Sequence, residues 1–345
     1  MSKRFLTASI DASIYEDFPN NNTGLDEILD IGKISREFTS WYPARSLIKF
    51  ELPNDLPTSA SAFLHLRVAN AENFSATEVL QVYALSSSWV EGTQYFEAQF
   101  INANDGVTWR RSNTSTSWSY AGGDFVSQSS EIGGAAVPIG TANINQQPLS
   151  DFRIDVTDIY QSWYSSSIIP NNGFLLKLDD TSEDNVNNKA ILKIFSRNTH
   201  TIYEPLLEIA WTDQTFSTGS LELIPNLDLE VAPIRLPESF KKGEVRKLYF
   251  NIRDKYPSKN FDLLQRYRNQ YYLPSASSYY QIVDETSGLV ISSYDQYSVL
   301  DTDSSGSYFS LDTTPLSKFR FYNISVKTEY NGETAIFGPW RVKIT

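Results

Sequence analysis

Residues 86–109 read SSSWVEGTQYFEAQFINANDGVTW, with Trp89, Glu91 and Thr93 close together and Trp109 at the far end. Such a stretch is typical of a sugar-binding surface, of an active-site rim, or of two strand ends joined by a long loop. Upstream, VLQVYAL (79–85) alternates as a β-strand does, so Trp89 follows the end of a predicted strand. The rest of the chain decides among the three.

The composition and periodicity of the chain indicate an all-β protein. Of its 345 residues, 41% are hydrophobic and 14% aromatic, and its many Tyr, Phe, Thr and Val residues suit a pleated, half-buried surface. Alternating apolar residues in SLIKFEL (46–52), FLHLRVAN (63–70) and LLEIAW (206–211) predict antiparallel strands. Only DVTDIYQSWYSS (155–166) has helical spacing, which predicts one short helix that packs Trp163 on a sheet before a turn at Gly173.

Several classes of function are disfavoured by bulk properties. The net charge of -12 repels phosphate backbones, so we expect no nucleic-acid partner. No cysteine is present, which excludes disulfides, zinc–thiolate sites and a cysteine nucleophile. No apolar run of transmembrane length and no signal peptide is evident, so we expect a protein that is made in the cytoplasm and does not enter membranes.

Turn residues and looser periodicity over residues 213–232 predict a boundary between two domains. We expect an N-terminal domain over residues 1–213, a linker over 214–230, and a second domain over 231–345. About seven short strands in the second domain predict an immunoglobulin-like or fibronectin-III-like sandwich. Its hairpins should turn at 286–288 and at Asn331-Gly332. The segment FDLLQRYRNQYY (261–272) predicts a helix or a structured loop, and YRNQYY is also a candidate protein-contact patch.

The chain contains none of the common catalytic motifs, so we expect no enzyme and assign no catalytic residue. It has two histidines, no serine-nucleophile elbow, no phosphate-binding glycine motif and no histidine metal motif. Exposed aromatic residues could stack on sugar rings, which makes these four candidates for ligand binding: Trp41, Tyr42, Trp118 and Tyr120. An acidic loop could hold Ca²⁺, and the four candidate ligands in this loop are Asp179, Asp180, Glu183 and Asp184. Apart from Ca²⁺, we expect no cofactor.

A run of local patterns over residues 8–212 resembles the DNRLRE domain family. The patterns are DASIYEDFPNNNTG, ARSLIKFEL, SSWVEGT, GVTW, AGGDF, IDVTDIYQSWYSS, NNGFLLKLDD, IFSR and EPLLEIAW, in that order. The signature that names the family is degraded, because Ser196-Arg197 lacks the usual acidic residue after it. The resemblance implies a jelly-roll-like two-sheet sandwich, similar to the TGF-β propeptide, in a family that often binds polysaccharide and is not principally catalytic.

The resemblance also bears on the opening stretch. Pieces like SSWVEGT and GVTW flank a variable loop in the family, so we expect Trp89 and Trp109 to be core aromatics closing one end of the sandwich. Glu91 and Thr93 should satisfy backbone donors there. Residues 94–105 between them are the expected contact surface.

Three functions follow as hypotheses. The first is a structural or adaptor protein of a bacteriophage virion, at the tail, neck or baseplate, which forms a homo-oligomer, docks on other virion proteins through one sandwich and presents the other. The alternative is a carbohydrate-binding module for a host or extracellular polysaccharide. The third, a polysaccharide-degrading enzyme, would need a carboxylate pair in a cleft.

Overall fold

The computed structural model describes residues 2–35, 37, 40–74, 78–96, 105–126, 138–144, 150–165, 169–256 and 270–345. Within these residues the protein is nearly all β, as the composition predicts, with two short helices. The chain divides into two compact units. The N-terminal unit comprises residues 6–208, and the C-terminal unit comprises residues 209–345 together with residues 1–5.

The N-terminal unit is a curled sandwich of two sheets. One sheet has the strand order β1-β13-β5-β10, and the limits of the unit fall within β1 and β13. The other has nine strands in the order β6-β12-β3-β4-β11-β7-β8, with β2 paired to β4 and β9 paired to β7. The strands are β1 (Ser2–Thr7), β2 (Ile10–Tyr15), β3 (Ile28–Ile34), β4 (Tyr42–Lys49), β5 (Ser61–Leu66), β6 (Val68–Glu72), β7 (Glu78–Leu85), β8 (Phe125–Val126), β9 (Gly140–Ile144), β10 (Phe152–Asp155), β11 (Phe174–Leu178), β12 (Ile191–Phe195) and β13 (Leu206–Trp211).

The predicted helix is present as α1 (Thr157–Ser165). The Asp155 carboxylate accepts the Thr157 N–H at 2.9 Å and so caps the first turn. The Trp163 ring packs 5.1 Å from the Phe174 ring on β11. Gly173 precedes β11 at φ +90°, where a Cβ would lie 2.4 Å from the Ile48 carbonyl oxygen, so this position requires glycine.

A second helix, α2 (Asp180–Asp184), forms where the sequence predicted only an acidic loop. Asp179 precedes it and accepts the Ser182 N–H at 3.1 Å, which supplies the N-cap that starts the turn. The sequence therefore predicted one helix fewer than this unit has, because a single helical turn is too short to show helical spacing of apolar residues.

The C-terminal unit contains two four-stranded sheets, ordered β15-β16-β21-β20 and β19-β18-β22-β23, and a short parallel pair, β14-β17. Alternating burial along its strands places one face of each four-stranded sheet in a shared core, as in the predicted sandwich. The strands are β14 (Glu222–Leu223), β15 (Leu229–Pro233), β16 (Val245–Asp254), β17 (Tyr271–Tyr272), β18 (Ser278–Asp284), β19 (Val290–Ser292), β20 (Asp301–Asp303), β21 (Gly306–Asp312), β22 (Phe321–Tyr330) and β23 (Glu333–Lys343).

Both predicted hairpins form in the C-terminal unit. Strands β22 and β23 turn at Asn331 and Gly332, which have φ values of 51° and 81°, and Tyr330 pairs with Glu333. Strands β18 and β19 are paired around the predicted turn at 286–288. The segment expected to be a linker contains β14 and the start of β15, and most of the segment 261–272 lies outside the described residues.

Among the described residues, no helix is both long enough and apolar enough to cross a lipid bilayer.

Candidate functional site

The two tryptophans of the opening stretch are buried in the core of the N-terminal unit. Trp89 is 7% exposed, and its indole N–H donates to the Asn172 carbonyl at 2.9 Å. Trp109 is 6% exposed, and the Arg45 guanidinium lies 5.0 Å from its ring centroid. Both side chains stabilise the fold and neither ring faces solvent, so neither of these two tryptophans forms an aromatic sugar platform.

The polar residues of the same stretch differ in what they bind. Glu91 accepts the backbone N–H of Asp11 at 3.0 Å and pairs with the Arg197 guanidinium at 3.2 Å, so it does satisfy a backbone donor. The hydroxyl of Thr93 donates instead to the carboxylate of Asp105. The expectation for Thr93 was wrong because its bonding partner is a side chain across the loop, not a strand end. Residues 97–104 of the predicted contact surface lie outside the described residues.

The side chain of Asn22 links the two ends of the opening stretch. Asn22 was not singled out in the sequence. Its amide N–H groups donate to the Glu91 carbonyl at 2.6 Å and to the Val107 carbonyl at 2.8 Å. A Cβ on Gly92 would lie 2.3 Å from the Asn22 side-chain oxygen, so this glycine is required for the close approach. The signal in the sequence was NNNTG (20–24), which reads only as a turn.

Asp11 and Glu91 are two neighbouring carboxylates, the arrangement that acid–base hydrolysis would need. Burial raises the pKa of Asp11 to about 7, although the Arg197 backbone N–H, which donates to it at 2.6 Å, lowers the pKa. Burial also raises the pKa of Glu91. Asp11 is only 1% exposed, however, so in this conformation its carboxylate cannot contact a substrate. Both carboxylates contact Arg197, and Asp11 so connects β2 to the residues that follow β12.

The four proposed calcium ligands have protein partners or face solvent. Glu183 is buried and accepts two hydrogen bonds from Arg45, at 2.8 and 2.7 Å, and one from Lys177 at 2.8 Å. Asp180 pairs with Lys177 at 2.5 Å, and Asp184 is exposed. Asp179 caps α2.

These contacts correct the expectation of a calcium site at the acidic loop. Burial raises the pKa of Glu183, but Arg45 and Lys177 outweigh burial and hold the pKa below its ordinary value. The carboxylate is thus neutralised by the protein's own cations. In the described part of the chain, no group of three or more Asp, Glu, His or Cys side chains is placed to hold a metal ion.

The four candidate sugar-stacking residues are not equivalent. Trp118 is buried and donates its indole N–H to the Thr108 carbonyl at 2.9 Å, so the expectation that it forms an exposed platform was wrong. Tyr120, two residues further along the chain, is exposed. Tyr42 is also exposed, at the start of β4, and Trp41 is half-buried with the Lys189 ammonium 5.5 Å from its ring centroid.

A cleft of about 480 Å³ is lined by the two residues that follow β6, by Glu78 of β7, by α2 and by the residues that follow α2. Its lining includes Glu78, which accepts the Ser182 hydroxyl at 2.5 Å, and the half-buried Phe74. Lys189 also lines the cleft, and its ammonium lies over the Trp41 ring, so Trp41 and the acidic loop lie beside one cleft. The remaining lining groups are amides and hydroxyls, contributed by Asn73, Thr181, Asn185, Asn187 and Asn188.

Comparison with known proteins adds little to this geometry. No family model matches the chain, and no curated protein matches its sequence. Among solved structures, the adhesin domain of Epf from Streptococcus pyogenes aligns with 97% of this chain and 92% of that chain, at 8% identity and a TM-score of 0.16. A score this low carries no argument about fold or function.

Proposed function

We propose that this protein is a non-enzymatic structural or adaptor component of a bacteriophage particle, at the tail, neck or baseplate. In this proposal the C-terminal unit docks on other particle proteins, and the N-terminal unit is presented outward. The proposal builds on the resemblance of residues 8–212 to the DNRLRE domain and on the sandwich folds of both units.

The observation that supports docking through the C-terminal unit is where exposed apolar side chains lie. Of the thirteen large hydrophobic side chains exposed among the described residues, eight belong to the C-terminal unit and five to the larger N-terminal unit. Contiguous exposed apolar patches mark interaction sites, and the cores of protein interfaces are enriched in aromatic residues. The eight are Phe216, Leu223, Ile234, Val245, Tyr256, Val290, Phe319 and Ile336.

The burial of charged groups supports a structural role for the N-terminal unit. Glu183 is neutralised by Arg45 and Lys177, and Asp11 accepts a backbone N–H of Arg197. Buried carboxyl groups that are bonded within the protein in this way link distant segments and are closed to a substrate. The proposal therefore assigns these carboxylates to stability and not to catalysis.

The first test asks whether the protein belongs to the particle. Antibodies against the recombinant chain should label gradient-purified phage particles, and mass spectrometry should recover the chain at a fixed copy number per particle. A protein that stays monomeric in solution and is absent from purified particles would refute the proposal.

The second test asks which unit docks. Phe319→Ser and Ile336→Ser should reduce incorporation into particles, because both side chains are exposed, at 78% and 63%. Val186→Ser is the matched control, since Val186 is equally exposed at 63% but lies in the N-terminal unit. If the control reduces incorporation and the two C-terminal variants do not, the assignment of the docking unit is wrong.

A further inference from the structure

Phe319 is held in a backbone conformation that a bulky residue rarely adopts. Its φ is +62°, in the left-handed region, and it is the one aromatic residue among the five non-glycine residues with positive φ in the described part of the chain. Its N–H donates to the Ile344 carbonyl at 2.8 Å, while its side chain is 78% exposed. Strain of this kind persists only where the surrounding structure enforces it, and it is concentrated at sites of function. The fold therefore holds a strained residue whose ring it does not bury.

Phe319 lies among exposed lysines at one end of the C-terminal unit. Lys318 precedes it, and the pair Lys241-Lys242 comes just before the start of β16. The Lys242 N–H donates to the Thr345 carbonyl at 3.1 Å, beside the carbonyl that accepts the Phe319 N–H, so these segments are neighbours. We call this set the basic end, and its members are Lys241, Lys242, Lys318 and Phe319.

The basic end carries positive charge that nearby carboxylates do not neutralise. Neither the Lys241 nor the Lys318 ammonium forms an ion pair with any residue that the structure describes. By contrast, three carboxylates near the basic end are each paired with an arginine. The pairs are Asp284 with Arg320 at 2.6 Å, Glu285 with Arg341 at 2.8 Å, and Glu244 with Arg246 at 3.9 Å. The basic end thus presents positive charge together with an exposed aromatic ring.

The negative charge of the chain lies in the other unit. Residues 6–208 contain 25 Asp and Glu and 12 Lys and Arg, a net charge of -13. Residues 209–345 with residues 1–5 contain 16 Asp and Glu and 17 Lys and Arg, a net charge of +1. Opposite charges on two surfaces speed their association and disfavour partners of like charge. The complement that this chain itself supplies for the basic end is therefore the surface of the N-terminal unit.

We infer that the basic end binds the N-terminal unit of a second copy, with the Phe319 ring as the apolar anchor and with Lys241 and Lys318 facing carboxylates. Aromatic residues contribute much of the binding energy of protein interfaces, and charges at the rim contribute mainly to the rate of association. Such a contact is head-to-tail, because it joins different surfaces of the two copies, and it builds rings or filaments. The inference does not rest on a place in a virus particle.

The test is sedimentation velocity of the purified full chain over a range of concentrations, at about 50 mM and about 500 mM NaCl, since salt screens the attraction between exposed charges. At low salt the chain should form species larger than a monomer, and high salt should dissociate them. Phe319→Ser and the double variant Lys241→Glu/Lys318→Glu should each weaken the association about tenfold or more. These side chains are exposed, so circular dichroism should show an unchanged fold.

Tyr256→Ser is the matched control, because Tyr256 is 79% exposed in the same unit but follows the end of β16, whereas Lys241 and Lys242 precede its start. It should leave the association unchanged. Phe319→Gly is a second probe, since glycine suits the left-handed backbone. It should weaken the association as Phe319→Ser does without lowering the midpoint of urea unfolding, which separates a role in binding from a role in folding.

Mixing the two chains tests whether the contact is head-to-tail. Phe319→Ser keeps the N-terminal unit, so excess variant added to the parent chain should cap the assemblies and make them smaller. The inference is overturned if the parent chain stays monomeric at low salt, if high salt leaves its assemblies intact, or if Phe319→Ser associates as tightly as the parent. It is also overturned if excess variant leaves the parent assemblies unchanged.

This assay is separate from the tests of the proposed function, because it uses the purified chain alone. A chain that assembles but is absent from phage particles would overturn only the proposed function. A monomeric chain found in phage particles would overturn only this inference.

Discussion

The ion cluster at Glu183 should be the most sensitive polar site of the N-terminal unit. Glu183→Gln keeps the shape of the side chain but removes the charge that Arg45 and Lys177 share. The side chains of Glu183, Arg45 and Lys177 are 6%, 13% and 2% exposed, so water cannot replace the missing carboxylate. Breaking a buried ion pair by removing one partner costs about 3–5 kcal/mol.

The structure places the expected cost near the lower end of that range. After the substitution, Lys177 still pairs with Asp180 at 2.5 Å, and Arg45 still donates to the Gly122 carbonyl at 3.0 Å. We therefore expect Glu183→Gln to lower the free energy of unfolding by about 3 kcal/mol at pH 7. Urea denaturation followed by the fluorescence of the buried tryptophans measures it.

The pH dependence of this loss is a second check. The folded pKa of Glu183 lies below its ordinary value of 4.5, so its stabilisation is present above that pH and is lost as the pH falls through the folded pKa. The difference between parent and variant should therefore shrink in acid. The control Glu72→Gln removes a half-exposed pair with Lys193 at 3.4 Å and should cost less than about 1 kcal/mol. Equal, small losses for Glu183→Gln and the control at pH 7 would refute the reasoning.

Three further predictions concern the same core and use the same denaturation assay. Gly173→Ala should destabilise the N-terminal unit by at least about 2 kcal/mol, because the position combines φ +90° with a backbone clash. The control Gly243→Ala, at φ +83° with open space around it, should cost about 1 kcal/mol. Equal costs would contradict this. Trp89→Phe should cost about 1–3 kcal/mol by leaving the Asn172 carbonyl without its donor, and an unchanged midpoint would count against it. The folded pKa of Asp11 is raised from 3.8 to about 7, so its contribution to stability is full below pH 4 and is lost as the pH rises through 7. The stability of the parent relative to Asp11→Asn should therefore fall by on the order of 4 kcal/mol across that range. A constant difference would show that Asp11 titrates normally.

The candidate site was only partly visible in the sequence. The acidic segment around Glu183 stood out, and Lys177 on β11 lies only six residues before Glu183, but Arg45 lies on β4, 138 residues away in sequence. A run of carboxylates therefore looked like a cation site when the protein supplies its own cations. Trp118 and Tyr120 are two residues apart, yet only the tertiary packing buries the first and exposes the second.

The sequence by itself determined the elements whose causes are local. Alternating apolar residues predicted the strands, the Asn331-Gly332 pair predicted its hairpin, and Asp155 with apolar residues at helical spacing predicted α1. Each depends on backbone geometry within a few residues, which the chain carries in its order of side chains. Even the burial of Trp89 followed from its position after a strand and from the family resemblance.

Only the tertiary structure decided which distant residues meet. The contact of Asp11 with Arg197 joins residues 186 apart, and that of Arg45 with Glu183 joins residues 138 apart. The cleft exists because Glu78 and Ser182 come together, although 104 residues separate them in the chain. Strand order and register determine these long-range contacts. Neither strand order nor register produces a periodic pattern or a motif in a single sequence.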